Sequence, residues 1–480
     1  VDMIIAGQRI GGGNRQKINV TNPATGAIIC TVPVATQADI DYAVRRALIG
    51  QRLWQNRPMH ERISILEKFA DLLETHSLQV AETETAEMGK PIAQSIAEVK
   101  SSVEMVRNFN EHARTLGGEV LPISSLPSAE KDVLITLRVP YGVVAAIIPF
   151  NYPVSSNLLK TVPALLMGNA VLVKPSSEAP LANILLVQQM LDAGVPADVI
   201  QIITGPGEQI GRQLASDTRI ALISLTGSTK TGIEISRYSA GNLKRVLLEL
   251  GGNDPLLLLE DVDMDYAVQE AISGRFGNAG QVCCASKRFL VPRERKAEFV
   301  SHLIFNLRQK RIGNPMDYET QMGPLVSERA AQKVEEQLHK TVEQGGKILY
   351  GGHRLQGAYF EPTVLEVPKQ AEILGSMEVF GPVWPVVVYD TLDEGIEIAN
   401  QTCYGLSAGV IGRDYQMLWK AARAIQAGCC VLNGNGNYQT KDQGFGGMKL
   451  SGGAREGGRY SLEEMSQIKT LVFRRAFEDS

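Results

Sequence analysis

The stretch "FGNAGQVCCASKR", residues 276–288, sets Cys283 and Cys284 side by side in a chain of 480 residues that has only six cysteines. The thiolate is the nucleophilic form of cysteine, and the glycines and asparagine before Cys283 permit a loop that presents the sulfur to a cleft with its own backbone N–H free. The competing reading is a pair of small buried hydrophobes, which most unpaired cysteines are. A cysteine nucleophile commonly passes its proton to a histidine, but the six histidines (His60, His76, His112, His302, His339 and His353) are scattered, none near Cys283 in sequence. Glu249 in "LLELGGNDP" is a rival base. It ends an apolar run, two glycines follow after Leu250, and burial there would raise its pKa into the range useful for a base. Otherwise it is a solvated or ion-paired surface carboxylate. Asn151 in "IIPFNYP" has a carboxamide that, held between Phe150 and a Tyr-Pro step, would stabilise an oxyanion together with the Cys283 N–H; the alternative is a turn-forming asparagine. The turn "TGSTKTG", residues 226–232, is a weak phosphate signal by itself, since most such turns only cap helices.

These residues need elements to hold them. Between 142 and 250, short apolar runs ("VVAAII", "AVLVKP", "VIQIITG", "IALISLTG", "RVLLEL") alternate with segments long enough for crossover helices, predicting a doubly wound parallel sheet whose ligands bind beyond the carboxyl ends of its strands. Lys174 and the Gly227–Thr229 turn stand at two such ends. A second alternating block runs from "NDPLLLLED" to "CCVLNGN" and predicts another α/β unit with Cys283 near its start. Residues 122–140 and the tail "IKTLVFRR" alternate as well and are expected to pair as exposed strands covered by a partner subunit.

Composition narrows the class. Hydrophobic residues are 44% and charged residues 21%, globular values, and the formal charge of -4 comes without a long single-sign run, so nucleic acid is not an expected partner. No stretch of eighteen apolar residues occurs and the start "VDMIIAGQRIGGG" lacks signal-peptide character, so neither a membrane nor export is expected and the cytoplasm is the default. Six cysteines are too few for a disulfide framework, and no metal-ligand spacing is present.

Taken together, "PFNYP", "VLVKP", "LTGSTKTG", "LELGG", "FGNAGQVC", "EVFGPV" and "GFGGMKLSG" resemble the signatures of the aldehyde dehydrogenase superfamily, in that family's order and across nearly the whole chain. The resemblance implies an α/β fold with a Rossmann-type cofactor-binding domain (1–121 and 141–250), a catalytic domain (251–440) and a small β oligomerisation extension (122–140 and 460–480). It implies that Cys283 attacks an aldehyde to form a thiohemiacetal whose oxyanion meets Asn151 and the Cys283 N–H. Hydride then leaves for a nicotinamide ring, and Glu249 activates water to hydrolyse the thioester to a carboxylic acid. Retention of Glu249 points to hydrolysis rather than transfer to coenzyme A. NAD or NADP is the implied cofactor, with Ile148, Pro149, Phe150, Lys174, Ser177, Gly207, Gly227, Ser228, Thr231, Glu378 and Phe380 around it.

Three departures from the family pattern stand out. Where the family often has Lys-Pro-Ser-Glu, this chain has Lys174-Pro175-Ser176-Ser177; loss of that glutamate removes a charge that opposes a 2′-phosphate, so NADP is expected to be accepted, with Glu178 as the group able to reverse this. Gly444 and Ala454 replace a usual proline and glycine in the C-terminal motif and affect loop stiffness. For the substrate, Arg107 and Arg275 are the candidate anchors for an anionic far end, against the reading that each is solvated or structural. The expected substrate is a small anionic or polar aldehyde such as succinate semialdehyde, with lactaldehyde-like or aromatic aldehydes as alternatives. A cofactor-independent thiol esterase and a catalytically silent protein are the rival classes. Cys284 raises one further expectation, that it resolves an oxidised Cys283, against the strain of a disulfide between neighbours.

Overall fold

The computed structural model describes residues 1–121 and 126–476. Two seven-stranded sheets dominate. The first runs in the order Arg245–Glu249, Leu222–Thr226, Val143–Ile147, Ala170–Lys174, Ile200–Ile202, Met3–Ile5, Gln8–Ile10. Its strands from 143 to 249 pair in parallel, and only the N-terminal hairpin joins antiparallel. All five residues of Val143–Ile147 and of Ala170–Lys174 are buried, as continuous apolar runs require when helices cover both faces. The chain moves outward from Val143–Ile147 through Ala170–Lys174 to Ile200–Ile202, then returns to the opposite side of its starting strand. That reversal opens a crevice between the ends of Val143–Ile147 and Leu222–Thr226, the place where such sheets bind ligands.

The second sheet has the order Lys347–Tyr350, Thr363–Glu366, Val383–Tyr389, Ser286–Pro292, Asp254–Leu258, Ser407–Ile411, Cys429–Leu432. Only the Lys347–Tyr350 edge is antiparallel; the sequence reading passed over that strand and its neighbour Thr363–Glu366. Four residues separate Glu249, at the end of one sheet, from Asp254, at the start of the other. The carboxyl edge of the first sheet therefore faces the amino edge of the second, and each sheet has its own apolar core.

A three-stranded antiparallel sheet joins Val120–Leu121, Val133–Pro140 and Ser466–Phe473 in eight-residue register between the last two. The expected pairing of these segments is present; residues 122–125 and 477–480 of the expected extension lie outside the described residues. Among the described residues, no helix is long and apolar enough to cross a membrane, and no group of three or more His, Cys, Asp or Glu is placed to hold a metal.

Candidate active site

A cavity of about 870 Å³ lies where the sheets meet, and Cys283, Glu249 and Asn151 all line it. Cys283 sits in the turn between helix Met264–Phe276 and strand Ser286–Pro292. Before it, Asn278, Ala279 and Gly280 all take left-handed backbone conformations, with φ of 48°, 53° and 78°. For Ala279 this costs roughly 1 kcal/mol, so the surroundings must enforce it. A Cβ at Gly280 would stand 2.2 Å from the Gly381 carbonyl oxygen, so only glycine fits there. The Gln94 carboxamide accepts from the Asn278 N–H at 2.8 Å, and Gln281 Oε1 accepts from the Val326 N–H at 2.9 Å.

The nucleophile loop and the Asn151 segment hold each other. Asn151 Nδ2 donates to the Gln281 carbonyl at 2.9 Å, and Asn278 Nδ2 donates to the Asn151 carbonyl at 3.0 Å. Helix Pro153–Leu166 begins just after Asn151, with proline at its first position. The Glu98 carboxylate caps it, accepting from the N–H groups of Val154 and Ser155 at 3.2 and 2.9 Å. Lys90, buried, pairs with Glu98 and with Glu84 and lies 3.9 Å from the Tyr152 ring centroid. Asn151 is thereby held in one orientation at the cavity wall.

The Cys283 thiol is held below its ordinary pKa, chiefly by a hydrogen bond from Cys284 and then by the Lys287 ammonium, against the opposing effect of burial. Glu249 is 3% exposed, and neither of its carboxyl oxygens has a hydrogen-bond partner. Burial, followed by the nearby Glu456 carboxylate, pushes its pKa well above the ordinary range, while Lys160 opposes this. A buried carboxyl with open lone pairs beside a cavity is suited to take a proton from water. Lys160 and Glu456 pair at 2.5 Å and were passed over in the sequence, where Glu456 lay two residues beyond the departure at Ala454.

Beyond Asn151, the expected cofactor residues gather along the carboxyl edge of the first sheet. Ile148 N–H donates to the Lys174 carbonyl at 2.9 Å, with Pro149 and Phe150 following, and the Phe150 ring meets Phe380 edge-on at 6.0 Å. Lys174 is 2% exposed; its Nζ donates to the Pro175 carbonyl at 2.6 Å, and it has no ion-pair partner among the described residues. Burial pulls its pKa down to about 8. Gly207 opens helix Gly207–Ser216, where a Cβ would lie 3.9 Å from Lys174 Nζ. Ser177 Oγ donates to the Gly205 carbonyl at 3.1 Å. Gly227 precedes Ser228, which caps helix Thr229–Ser239 by accepting from the Thr231 N–H at 3.2 Å. A buried ammonium without an ion pair, beside the amino terminus of helix Gly207–Ser216, suits a ligand rich in hydroxyl and phosphate oxygens. Glu178, the group able to oppose a phosphate, accepts from Ser176 Oγ at 2.8 Å and lies 3.7 Å from Arg329.

Neither arginine expected to anchor a substrate lines the cavity. Helix Ile92–Thr115 turns Ser101, Met105 and Asn108 inward at helical spacing, whereas Arg107 lies about 100° round the helix from Asn108 and pairs with Asp71 and Glu74 at 3.0 and 2.7 Å. Arg275 is 1% exposed and structural: it donates to the carbonyls of Val383 and Val379 at 2.9 and 2.6 Å, bracing the loop that carries Phe380. Among the described residues no arginine lines the cavity, and its two lysines, Lys90 and Lys441, are both paired with carboxylates. The far wall instead presents Ser101, Asn108, Asn437, Gln439, Thr440 and Gln443 beside Tyr152, Leu159 and Phe445.

The profile of the aldehyde dehydrogenase family matches residues 11–471. The chain is 34% identical over 474 residues to a lactaldehyde dehydrogenase of Methanococcus aeolicus, covering 98% of this chain and 99% of that one. It is 36% identical over 457 residues to a 3-sulfolactaldehyde dehydrogenase of Priestia aryabhattai, covering 95% of each. The crystal structure of the glyceraldehyde-3-phosphate dehydrogenase GapN from Methanocaldococcus jannaschii, complexed with NADP, superposes with a TM-score of 0.92 at 33% identity, covering 96% of this chain and 100% of that one. With its profile matched from end to end and relatives of this similarity along its full length, the chain belongs to the aldehyde dehydrogenase family.

Proposed function

We propose that this enzyme oxidises a small, polar, uncharged aldehyde to its carboxylic acid, with Cys283 as nucleophile, Asn151 as oxyanion donor and Glu249 as the base for hydrolysis. The observation that carries this reading is the convergence of those three side chains on one cavity, with the lone pairs of Glu249 left open. The Cys283 sulfur adds to the carbonyl carbon, and the oxygen gains negative charge against the Asn151 amide. Loss of hydride leaves a thioester on Cys283. Glu249 then takes a proton from water, which attacks that thioester, and the thiolate departs as the acid is released.

The crevice supports NAD or NADP as the group that receives the hydride. Lys174, Ser177, Gly207, Gly227, Ser228 and Thr231 would hold its adenosine and phosphate half, and Ile148, Pro149, Phe150, Glu378 and Phe380 its nicotinamide half. Ser177, with no charge to repel a 2′-phosphate, and the engagement of Glu178 by Ser176 favour acceptance of NADP.

The tunnel wall supports a hydroxylated aldehyde of the lactaldehyde kind over a semialdehyde with a distal carboxylate. Amides and hydroxyls solvate a substrate hydroxyl, whereas a carboxylate would enter a cavity whose lysines are already neutralised. The three sheets support dividing the chain into cofactor-binding, catalytic and oligomerisation parts. On the third sheet, the edge strand Ser466–Phe473 leaves Ile468 63% exposed and Val472 52% exposed, which favours a homo-oligomer that covers it.

The test is the absorbance of reduced cofactor over hydroxylated, aliphatic, anionic and aromatic aldehydes, with NAD and NADP in parallel and Cys283→Ala as control. A higher kcat/KM for lactaldehyde than for succinate semialdehyde is expected; the reverse order would overturn the tunnel reading. Negligible turnover with NADP beside NAD would overturn the cofactor reading.

A further inference from the structure

Four residues beyond the nucleophile lies Lys287, a cation to which the motifs above give no role. It is 1% exposed at the start of strand Ser286–Pro292. Its Nζ donates to the backbone carbonyl of Cys283, pairs with Glu378 at 3.2 Å and stands 5.8 Å from the Phe380 ring centroid. Glu378 in turn accepts from the Gly252 N–H at 3.1 Å. The packing around this junction leaves no slack: a Cβ at Gly251 would stand 2.2 Å from Glu378 Oε2, and one at Gly252 would stand 2.7 Å from the Cys283 carbonyl oxygen and 2.8 Å from Asp254 Oδ1.

A buried ammonium at this point needs a reason, because removing it from water is costly unless the charge is used or compensated. Compensation alone would be met by Glu378, yet the side chain also reaches back to the nucleophile's own residue. We propose that Lys287 is a positioning residue for the reaction: its Nζ, bonded to the Cys283 carbonyl and paired with Glu378, fixes the Cys283 backbone against the Glu378 side chain and sets a cation at the nucleophile's own residue. The ammonium thus ties together the nucleophile turn, the glycines that follow the base, and the loop bearing Glu378 and Phe380. Arg275 braces the far end of that same loop through Val379 and Val383.

The charges facing Cys283 come from several elements. Lys287 favours its ionised form, and the hydrogen bond from Cys284 does the same. Asp254 and Glu378 oppose it, while Glu249 and Tyr152 on the first sheet's side couple to it as well. Asp254 has its own pKa raised to about 7 by burial, with Lys287, a hydrogen bond from the Ser407 backbone and Arg288 opposing. Of these groups facing Cys283, Lys287 is the one cation, and its Nζ reaches the carbonyl of the same residue that bears the sulfur.

The proposal rests on Cys283 being the nucleophile, and its test reads the thiolate whether or not any aldehyde is turned over. The full-length enzyme, in a Cys284→Ser background that keeps a hydroxyl donor, is alkylated with iodoacetamide from pH 5 to 10, and the Cys283 peptide is quantified by mass spectrometry. In Lys287→Met the midpoint should rise by about 1 pH unit, or about tenfold slower alkylation below both midpoints. Lys287→Arg, which keeps the charge, should stay within a few tenths of a unit of the parent. An unchanged midpoint in a Lys287→Met protein that melts cooperatively would overturn the proposal. Should that variant fail to fold, Glu378→Gln decides: removing the carboxylate that neutralises Lys287 should lower the midpoint, and an unchanged or raised one would overturn the proposal.

Discussion

The floor of the cavity and its mouth are built from the same residue types and treat them in opposite ways. Around the mouth the charges are paired: Lys441 joins Glu104, Asn108 and His112 both reach Asp442 Oδ1 at 2.9 and 2.7 Å, and Arg107, outside the lining, bridges Asp71 and Glu74. These partners are largely exposed, and pairs of that kind contribute about 0–1 kcal/mol each. On the floor, both oxygens of Glu249 lack partners; behind the nucleophile turn, outside the lining, Oδ2 of Asp254 lacks one too and Lys287 is buried against that turn. Buried carboxyl oxygens without partners are a cost to stability that a reaction can use; charges paired at a rim are architecture. The contrast is the basis for proposing the chemistry at the floor and assigning the paired charges to the shape of the entrance.

The largest expected effect falls on the floor. Cys283→Ala should lower turnover by about 10⁴-fold or more for every aldehyde, because the covalent route loses its nucleophile; residual activity well above that level in the absorbance assay, as Cys284 acting in its place would give, would break the contrast. Asn151→Ala should lower kcat by about 10²–10³-fold with little change in KM, since its amide meets charge that exists only after attack. A loss confined to KM would move Asn151 to substrate binding.

A smaller effect is expected at Lys174, whose pKa is depressed to about 8 from an ordinary lysine value of 10.5. Below pH 8 its ammonium is present and, on the proposed cofactor reading, would pair with a 2′-phosphate; as pH rises through 8 the charge is lost. KM for NADP should therefore increase, by up to about tenfold at pH 9, while KM for NAD changes less. Parallel changes for both cofactors would count against a phosphate role. The smallest effect belongs to the mouth: Arg107→Ala should leave the preference between lactaldehyde and succinate semialdehyde within about twofold and cost at most about 1 kcal/mol of stability by denaturant melting. A large loss confined to the anionic aldehyde would restore Arg107 as an anchor.

These differences track what a sequence can carry. The parallel strands were legible because burial on both faces leaves unbroken apolar runs, as in Ala170–Lys174, and the strand ends could be read from the Lys174 and Gly227 punctuation. Cys283, Glu249 and Asn151 sit within contiguous motifs, so local sequence holds most of their setting. Arg107 misled because a helical side chain's direction turns by about 100° per residue, and only packing of Ile92–Thr115 against Met59–Thr75 decides that Asn108 faces the cavity and Arg107 faces Asp71. Arg275 misled because a buried guanidinium held by backbone carbonyls leaves no pattern in sequence. Lys287 was in full view within the quoted stretch, but its meaning depends on Glu378, ninety-one positions away.

The most direct test of the account is to trap the covalent intermediate. Glu249→Gln keeps the size of the side chain and removes its ability to take a proton from water, so hydrolysis should slow while acylation proceeds. With aldehyde and oxidised cofactor added, intact-mass and peptide mass spectrometry should show an acyl group of the aldehyde's mass less one hydrogen on Cys283, together with a stoichiometric burst of reduced cofactor. A burst-free protein with no adduct, or an adduct on another residue, would contradict the assignment of Cys283 as nucleophile and Glu249 as the hydrolytic base.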